Sequence, residues 1–152
     1  MRRKDREVAR REDIEEIVRR ADVCRLALCE EDHPYVVPLC FGYEAGSLYF
    51  HCAPHGRKLE ILKNNRNVCF EMDVDHELIS GETPCTWGLR YRSVVGFGRA
   101  SWVRDPASKR DALRIIMRHY SDEVFEFPEE ALARTVVIKI VIEDITGKSA
   151  GY

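Results

Sequence analysis

A chain of 152 residues has room for one domain, taken as residues 1–152, with a sizeable core and little space for a second. Its 45% hydrophobic and 33% charged residues are ordinary for a globular protein, and a formal net charge of −2 offers no global attraction for nucleic acid. No apolar run approaches the ~20 residues of a membrane-spanning helix, and the basic start leads into charge rather than an apolar signal core, so a soluble, cytoplasmic protein is expected.

From the N-terminus, Asp13, Ile14, Ile17, Val18 and Ala21 repeat at three and four with charges between, which predicts an amphipathic helix. Leu26 and Leu28 then alternate with Ala27 and Cys29, and Glu30 to Pro34 make a polar turn. Tyr35 to Tyr43 is expected to be one strand. Pro38 in its middle lacks a donor, which puts that strand at an edge or at a bulge. After the turn at Glu44–Gly46, Ser47 to Cys52 pairs back as a hairpin partner. Ala53 to Gly56 breaks the strand, and Arg57 to Asn64 predicts a short helix with Leu59, Ile61 and Leu62 inward.

Val68, Phe70, Met72 and Val74 alternate with Cys69, Glu71 and Asp73 in a half-buried strand, and His76 to Trp87 is expected as a loop. Arg90 to Val103 is a long strand whose Gly96 and Gly98 mark a bend, a bulge or a close backbone approach. Pro106 opens a helix with Ala112, Leu113, Ile116, Met117 and Tyr120 as its apolar stripe. Thr135 to Ile142 forms a last strand, followed by a polar tail from Gly147. Short-spaced antiparallel strands with helices between them predict an α+β, mainly β, barrel with peripheral helices. Four of the six cysteines (Cys29, Cys40, Cys52 and Cys69) fall in apolar runs and read as small buried thiols, all reduced.

The segment Leu48 to Leu59 carries the most chemistry. A strand ends, a glycine turn follows, and Arg57 and Lys58 stand at the first turn of a helix. Cations oppose the helix dipole there, so a bound phosphate accounts for them; a solvated surface pair accounts for them equally. His51 and Cys52 are neighbours on a strand and point to opposite faces, and no Cys-x-x-Cys is present, so zinc is not expected. Haem is supported only by the lone His51, His55 and His119. No Gly-x-Gly-x-x-Gly occurs, so any nicotinamide donor docks transiently.

Together, YVVPLCFGY, LYFHCAPHGRKLEILKNN, VCFEMD and YRSVVGFGRA resemble the split-barrel flavoproteins related to pyridoxamine 5′-phosphate oxidase, most of all their nitroimidazole-resistance subgroup. The resemblance implies a split β-barrel of antiparallel strands, FMN as cofactor and a homodimer with flavin at the interface. It places the main chain of Val36, Val37, Pro38 and Leu39 along the flavin ring and Phe50 and His51 beside the ring and ribityl chain. Arg57 and Lys58 would sit on the phosphate, and Ser93 against the partner's flavin. His51 is the implied catalytic residue, a proton donor in reduction of a small aromatic or nitro compound. A flavin- or haem-binding module without turnover is the alternative. The true oxidase ends in a segment with tryptophan and arginine; Glu143 to Tyr152 has neither, which argues against pyridoxamine 5′-phosphate as substrate.

Overall fold

The computed structural model describes residues 3–152. A short 3-10 turn, Lys4–Arg6, leads to β1 (Glu7–Val8) and α1 (Arg11–Arg20), followed by β2 (Cys24–Glu30), β3 (His33–Leu39), β4 (Gly42–Glu44) and β5 (Ser47–Cys52). Next come α2 (Arg57–Asn64), β6 (Asn67–Ile79), β7 (Gly88–Val103), α3 (Pro106–Tyr120), α4 (Glu129–Arg134) and β8 (Val136–Ala150). The pairings are antiparallel, in the order β3-β2-β6-β7-β8-β5-β4, with β1 added beside β8. The sheet curls so that Leu26 near one edge and Leu48 and Phe50 near the other share one buried cluster with Phe41, Phe70, Met72, Val94 and Ile140. This is the α+β split barrel that the sequence implies. A smaller cluster forms where Ala112, Leu113 and Ile116 of α3 meet Leu132 and Val137 on the outer side of the sheet.

Local chemistry sets the helix ends. Asp105 accepts from the Ser108 backbone N–H at 2.8 Å and Pro106 follows, which fixes the start of α3. In α1, Glu12 and Asp13 occupy the first turn and Arg19 and Arg20 the last, in agreement with the dipole. The buried positions of α3 differ slightly from the expected stripe: Ile115 is buried, Met117 half-buried and Tyr120 exposed.

The expected strand Tyr35–Tyr43 is two strands. At the break, Phe41 is fully buried and its N–H donates to the Tyr120 hydroxyl at 2.9 Å instead of to a ladder. That hydroxyl also donates to the Asp22 carbonyl, and burial pushes its pKa up to about 12. Pro38 lies on β3, an edge strand as its missing donor requires. Residues 76–79, expected in a loop, extend β6 past an irregularity between Val74 and Glu77. The expected polar tail is strand through Ala150, because β7 presents backbone donors and acceptors from Tyr91 onward that the tail satisfies. Helix α4 has no counterpart in the sequence reading.

The cysteines also differ from expectation. Cys24 is the buried one; Cys29, Cys52 and Cys69 are half-buried and Cys40 and Cys85 exposed, because strand alternation turns several of them outward. All six are free thiols.

Gly96 and Gly98 do what their place in a long strand suggests. A bulge separates Phe97 from Gly98 against β8, and a Cβ on Gly96 would lie 2.2 Å from the Phe70 ring. Gly96→Ala is expected to cost about 1–3 kcal/mol in urea denaturation, since the ring must move. Gly88→Ala, where an added Cβ meets nothing within 4 Å, is expected to stay within about 0.5 kcal/mol of the parent.

Asp75, at φ 59°, ties α1 to the barrel by accepting from Arg20 and from Arg92. The hydrogen bond from Arg20, then that from Arg92, holds its carboxyl below the usual range. A depressed carboxyl stabilises the fold above its unfolded pKa and loses that contribution as pH falls through its folded value. From about pH 5 to about pH 3 the parent should therefore lose more thermal stability than Asp75→Asn, measured by calorimetry.

Candidate functional site

Gly56 ends the β5–α2 connection at φ 145° and ψ 157°, a conformation that favours glycine. Its carbonyl accepts from the Leu59 and Glu60 N–H groups, which starts α2 at Arg57 and leaves the Arg57 and Lys58 N–H groups without an acceptor among the described residues. The Arg57 guanidinium stacks over the Tyr35 ring at 5.0 Å and stands 3.8 Å from the Glu30 carboxylate. Lys58 lies near Cys52, whose thiol is pushed up by burial and held back by the Lys58 charge. The two cations thus bridge the open side of the barrel, Arg57 toward β3 and Lys58 toward the end of β5.

The edge strand β3 has a free side. Val36 is 57% exposed, Pro38 is exposed, and Val37 and Leu39 are half-buried with their side chains turned to the core. His51 is exposed near the end of β5, opposite Val137. Phe50 is different. Its ring is fully buried among core residues because alternation along β5 turns it inward as it turns His51 outward, so only its main chain is available to a ligand. Ser93 is buried on β7 between Asp73 and Lys148, three strands from β3. Arg57, Lys58, β3 and the β5 end are brought together in one protomer; Ser93 is not.

Other side chains define the surroundings. Arg25 pairs with Glu71 at 3.0 Å and Asp73 at 2.6 Å, and the His76 ring contacts Asp73 at 2.7 Å. Burial, then the Asp73 charge, raises the Glu71 carboxyl. Lys148 donates to the Tyr91 hydroxyl and stands over its ring at 4.9 Å. His119 is bonded to the Ala21 carbonyl at 2.7 Å and packs on Phe41, so its ring is committed to the core rim. Trp102 packs partly against the core beneath Arg66, and Phe127 against the α3–α4 cluster. Among the described residues, no three His, Cys, Asp or Glu side chains are grouped to hold a metal ion, and no helix is long and apolar enough to cross a membrane.

Tyr35 and Glu30, which orient Arg57, were not singled out by sequence. Their only signal is the alternation of β2 and β3; contact with a helix more than twenty residues away has no local signature.

The fold and these residues have relatives. The sequence pattern of the pyridoxamine 5′-phosphate oxidase family matches residues 10–149. A Bacteroides thetaiotaomicron protein ascribed to 5-nitroimidazole antibiotic resistance is 35% identical, with a TM-score of 0.85 over 94% of this chain and 86% of that one. An FAD-binding protein from Mesorhizobium loti is 25% identical, with a TM-score of 0.69 over 93% of this chain and 96% of that one. An FAD and heme binding protein from Mycobacterium smegmatis, 18% identical, shares the fold with a TM-score of 0.86 over 97% of this chain and 74% of that one. An uncharacterized protein of Rhizobium meliloti (strain 1021) is 32% identical over 65 residues, 43% of this chain and 42% of that protein, so the chain spans less than half the length of this relative. The family pattern runs from α1 to the end of β8, across the same split barrel, and the chain belongs to the pyridoxamine 5′-phosphate oxidase family.

Proposed function

We propose that this protein is a homodimeric FMN-binding oxidoreductase that reduces a small aromatic or nitro compound with electrons from an outside donor. The observation that carries the reading is the convergence of Arg57, Lys58 and their acceptor-free N–H groups at the start of α2 beside the free edge of β3. A phosphate suits this cradle because dipole, amides and two cations all favour a dianion. Apolar Val36 and Pro38 alongside suit a planar ring whose polar edge meets main-chain groups of Val36 to Leu39. FMN rather than FAD is our reading because the start of α2 would hold one terminal phosphate, and Glu30, 3.8 Å from Arg57, would disfavour further negative charge there.

When bound, the flavin supplies the one- or two-electron reduction. The residues of the chain do the rest. Arg57, steadied by the Tyr35 ring, fixes the phosphate end, and β3 orients the ring. His51, exposed at the end of β5, donates a proton to the reduced substrate oxygen. Likeness to the FAD-binding protein supports a flavin, and likeness to the nitroimidazole-resistance protein supports a nitro compound as substrate. Pyridoxamine 5′-phosphate is not the proposed substrate. The C-terminal segment is engaged in pairing with β7, and Tyr152 stacks 4.2 Å from Arg92 while donating to the Asp75 carbonyl.

Charge-assisted contacts to a phosphate contribute about 1.5–3 kcal/mol each, so Arg57→Ala/Lys58→Ala is expected to weaken FMN binding by roughly 10²–10⁴-fold. Flavin fluorescence titration reads the loss and far-ultraviolet circular dichroism confirms the fold; unchanged affinity refutes the phosphate site. His51→Ala and His51→Gln should keep FMN but slow reoxidation of photoreduced flavin by a nitroaromatic by roughly 10²-fold or more in stopped flow. Equal rates in the parent and both variants remove His51 from catalysis, and no turnover in the parent identifies a cofactor-carrying module instead.

A further inference from the structure

Arg57 does not stand free at the start of α2. The β2–β3 hairpin reaches it with two side chains. Glu30 is the last residue of β2, opposite His33, and Tyr35 lies two residues further along β3, opposite Leu28. Strand alternation puts Glu30, Leu28 and Tyr35 on one face of the hairpin. It is the face turned to the core, where Leu28 joins Leu59 and Leu62 of α2 in one buried cluster.

The two partners hold the guanidinium differently. Tyr35 is half-buried and packed against that cluster, and the guanidinium lies 5.0 Å from its ring centroid, so Arg57 rests on an anchored surface. Glu30 stands 3.8 Å away, beyond hydrogen-bond reach, and the Arg57 and Glu30 side chains are 58% and 46% exposed. Such a pair is weakly held, because water solvates both ions where they stand. Glu31 takes φ 52° and the chain turns directly after Glu30, which leaves this carboxylate at an exposed hairpin end.

Arg57 therefore has one fixed contact and one exchangeable one. Its planar fork of N–H donors matches two oxygens of a carboxylate or of a phosphate, and Glu30 at 3.8 Å uses none of those donors closely. A phosphate can take the place of Glu30 without moving the ring beneath.

We propose that Glu30 is the internal counter-anion of the phosphate site. It neutralises Arg57 before a phosphate binds and swings into water when a phosphate monoester takes the guanidinium, which Tyr35 keeps in place throughout. The inference rests on the reading of the start of α2 as a phosphate site. Its consequence is a threshold. Every phosphate must displace the same anion before it gains Arg57, and so loses the same share of affinity. Inorganic phosphate has no other contact to offset that loss. A ligand whose flat ring also lies along β3 does, so Glu30 reserves the cleft for a phosphate carried on such a ring.

Glu30→Gln keeps the size of the side chain and removes its charge. It should tighten FMN by roughly 5–20-fold in fluorescence titration and leave riboflavin, which has the ring without the phosphate, within about 2-fold of the parent. A structural defect or a change in ring contacts moves both ligands together. The fall of FMN affinity with added sodium chloride should steepen in Glu30→Gln, because Arg57 then meets the phosphate without a counter-ion of its own. Against an Arg57→Ala background the same substitution should change FMN affinity by less than about 2-fold, since its effect passes through Arg57. Inorganic phosphate, titrated by calorimetry, should bind Glu30→Gln roughly 5-fold or more tighter than the parent. Unchanged or weaker FMN binding by Glu30→Gln, an equal gain for riboflavin, or the full gain retained in the Arg57→Ala background overturns the proposal. A parent that binds FMN no tighter than riboflavin refutes the phosphate site itself; a parent that discriminates between them while Glu30→Gln gains nothing removes Glu30 alone.

Discussion

The packing of Phe70 over the bare backbone of Gly96 is the contact on which the barrel turns. The ring is fully buried and occupies the space where any Cβ at position 96 would lie. It lets the middle of β7 approach the core closely while β7 holds β6 on one side and β8 on the other. An aromatic ring of this kind removes about 150–250 Å² from water, roughly 4–6 kcal/mol as an upper bound. Two residues on, the bulge at Phe97/Gly98 shifts the register against β8 and brings Gly98 against the Val141 carbonyl, which bends the sheet. Bending at the centre allows edge strands far apart in the sheet to share one core.

That closure is incomplete, and the binding chemistry lies where it fails. Between β3 and β5 no ladder forms; α2 spans the opening, and its start is set by the positive φ of Gly56. The unpaired edge of β3 and the cationic start of α2 follow from the same interruption of the sheet. Elsewhere on the surface, ion pairs tie neighbouring elements: Arg25 pairs with Glu71 and Asp73, and Arg20 and Arg92 pair with Asp75. Such exposed pairs contribute little stability each.

Much of the fold was legible in the sequence because its signals are local. The alternation of Val68 to Val74, the three-and-four spacing of Ile14 to Val18, Pro106 at a helix start and Pro38 on an edge strand all act through immediate neighbours. Two of the errors in strand boundaries share one cause, which is long-range satisfaction of the backbone. Residues Gly147 to Ala150 look like a polar tail until β7 offers them a ladder, and Tyr35 to Tyr43 looks continuous until Tyr120 takes the Phe41 N–H. Phe50 shows the same limit at the candidate site, since its neighbour His51 faces out only if Phe50 faces in.

By itself the sequence determined the helix starts, the alternating strands, the glycine turn at Gly56 and the pair of cations after it, because each depends on φ/ψ preferences and contacts within a few residues. Tertiary structure alone decided that Arg57 lies on Tyr35 beside Glu30, that Ser93 is three strands away from them, and that Val95 and Phe97 lie exposed on the outer face of β7. Those relations are set by strand order and register, which arise from closing one core across the whole chain, and no local stretch of residues contains them.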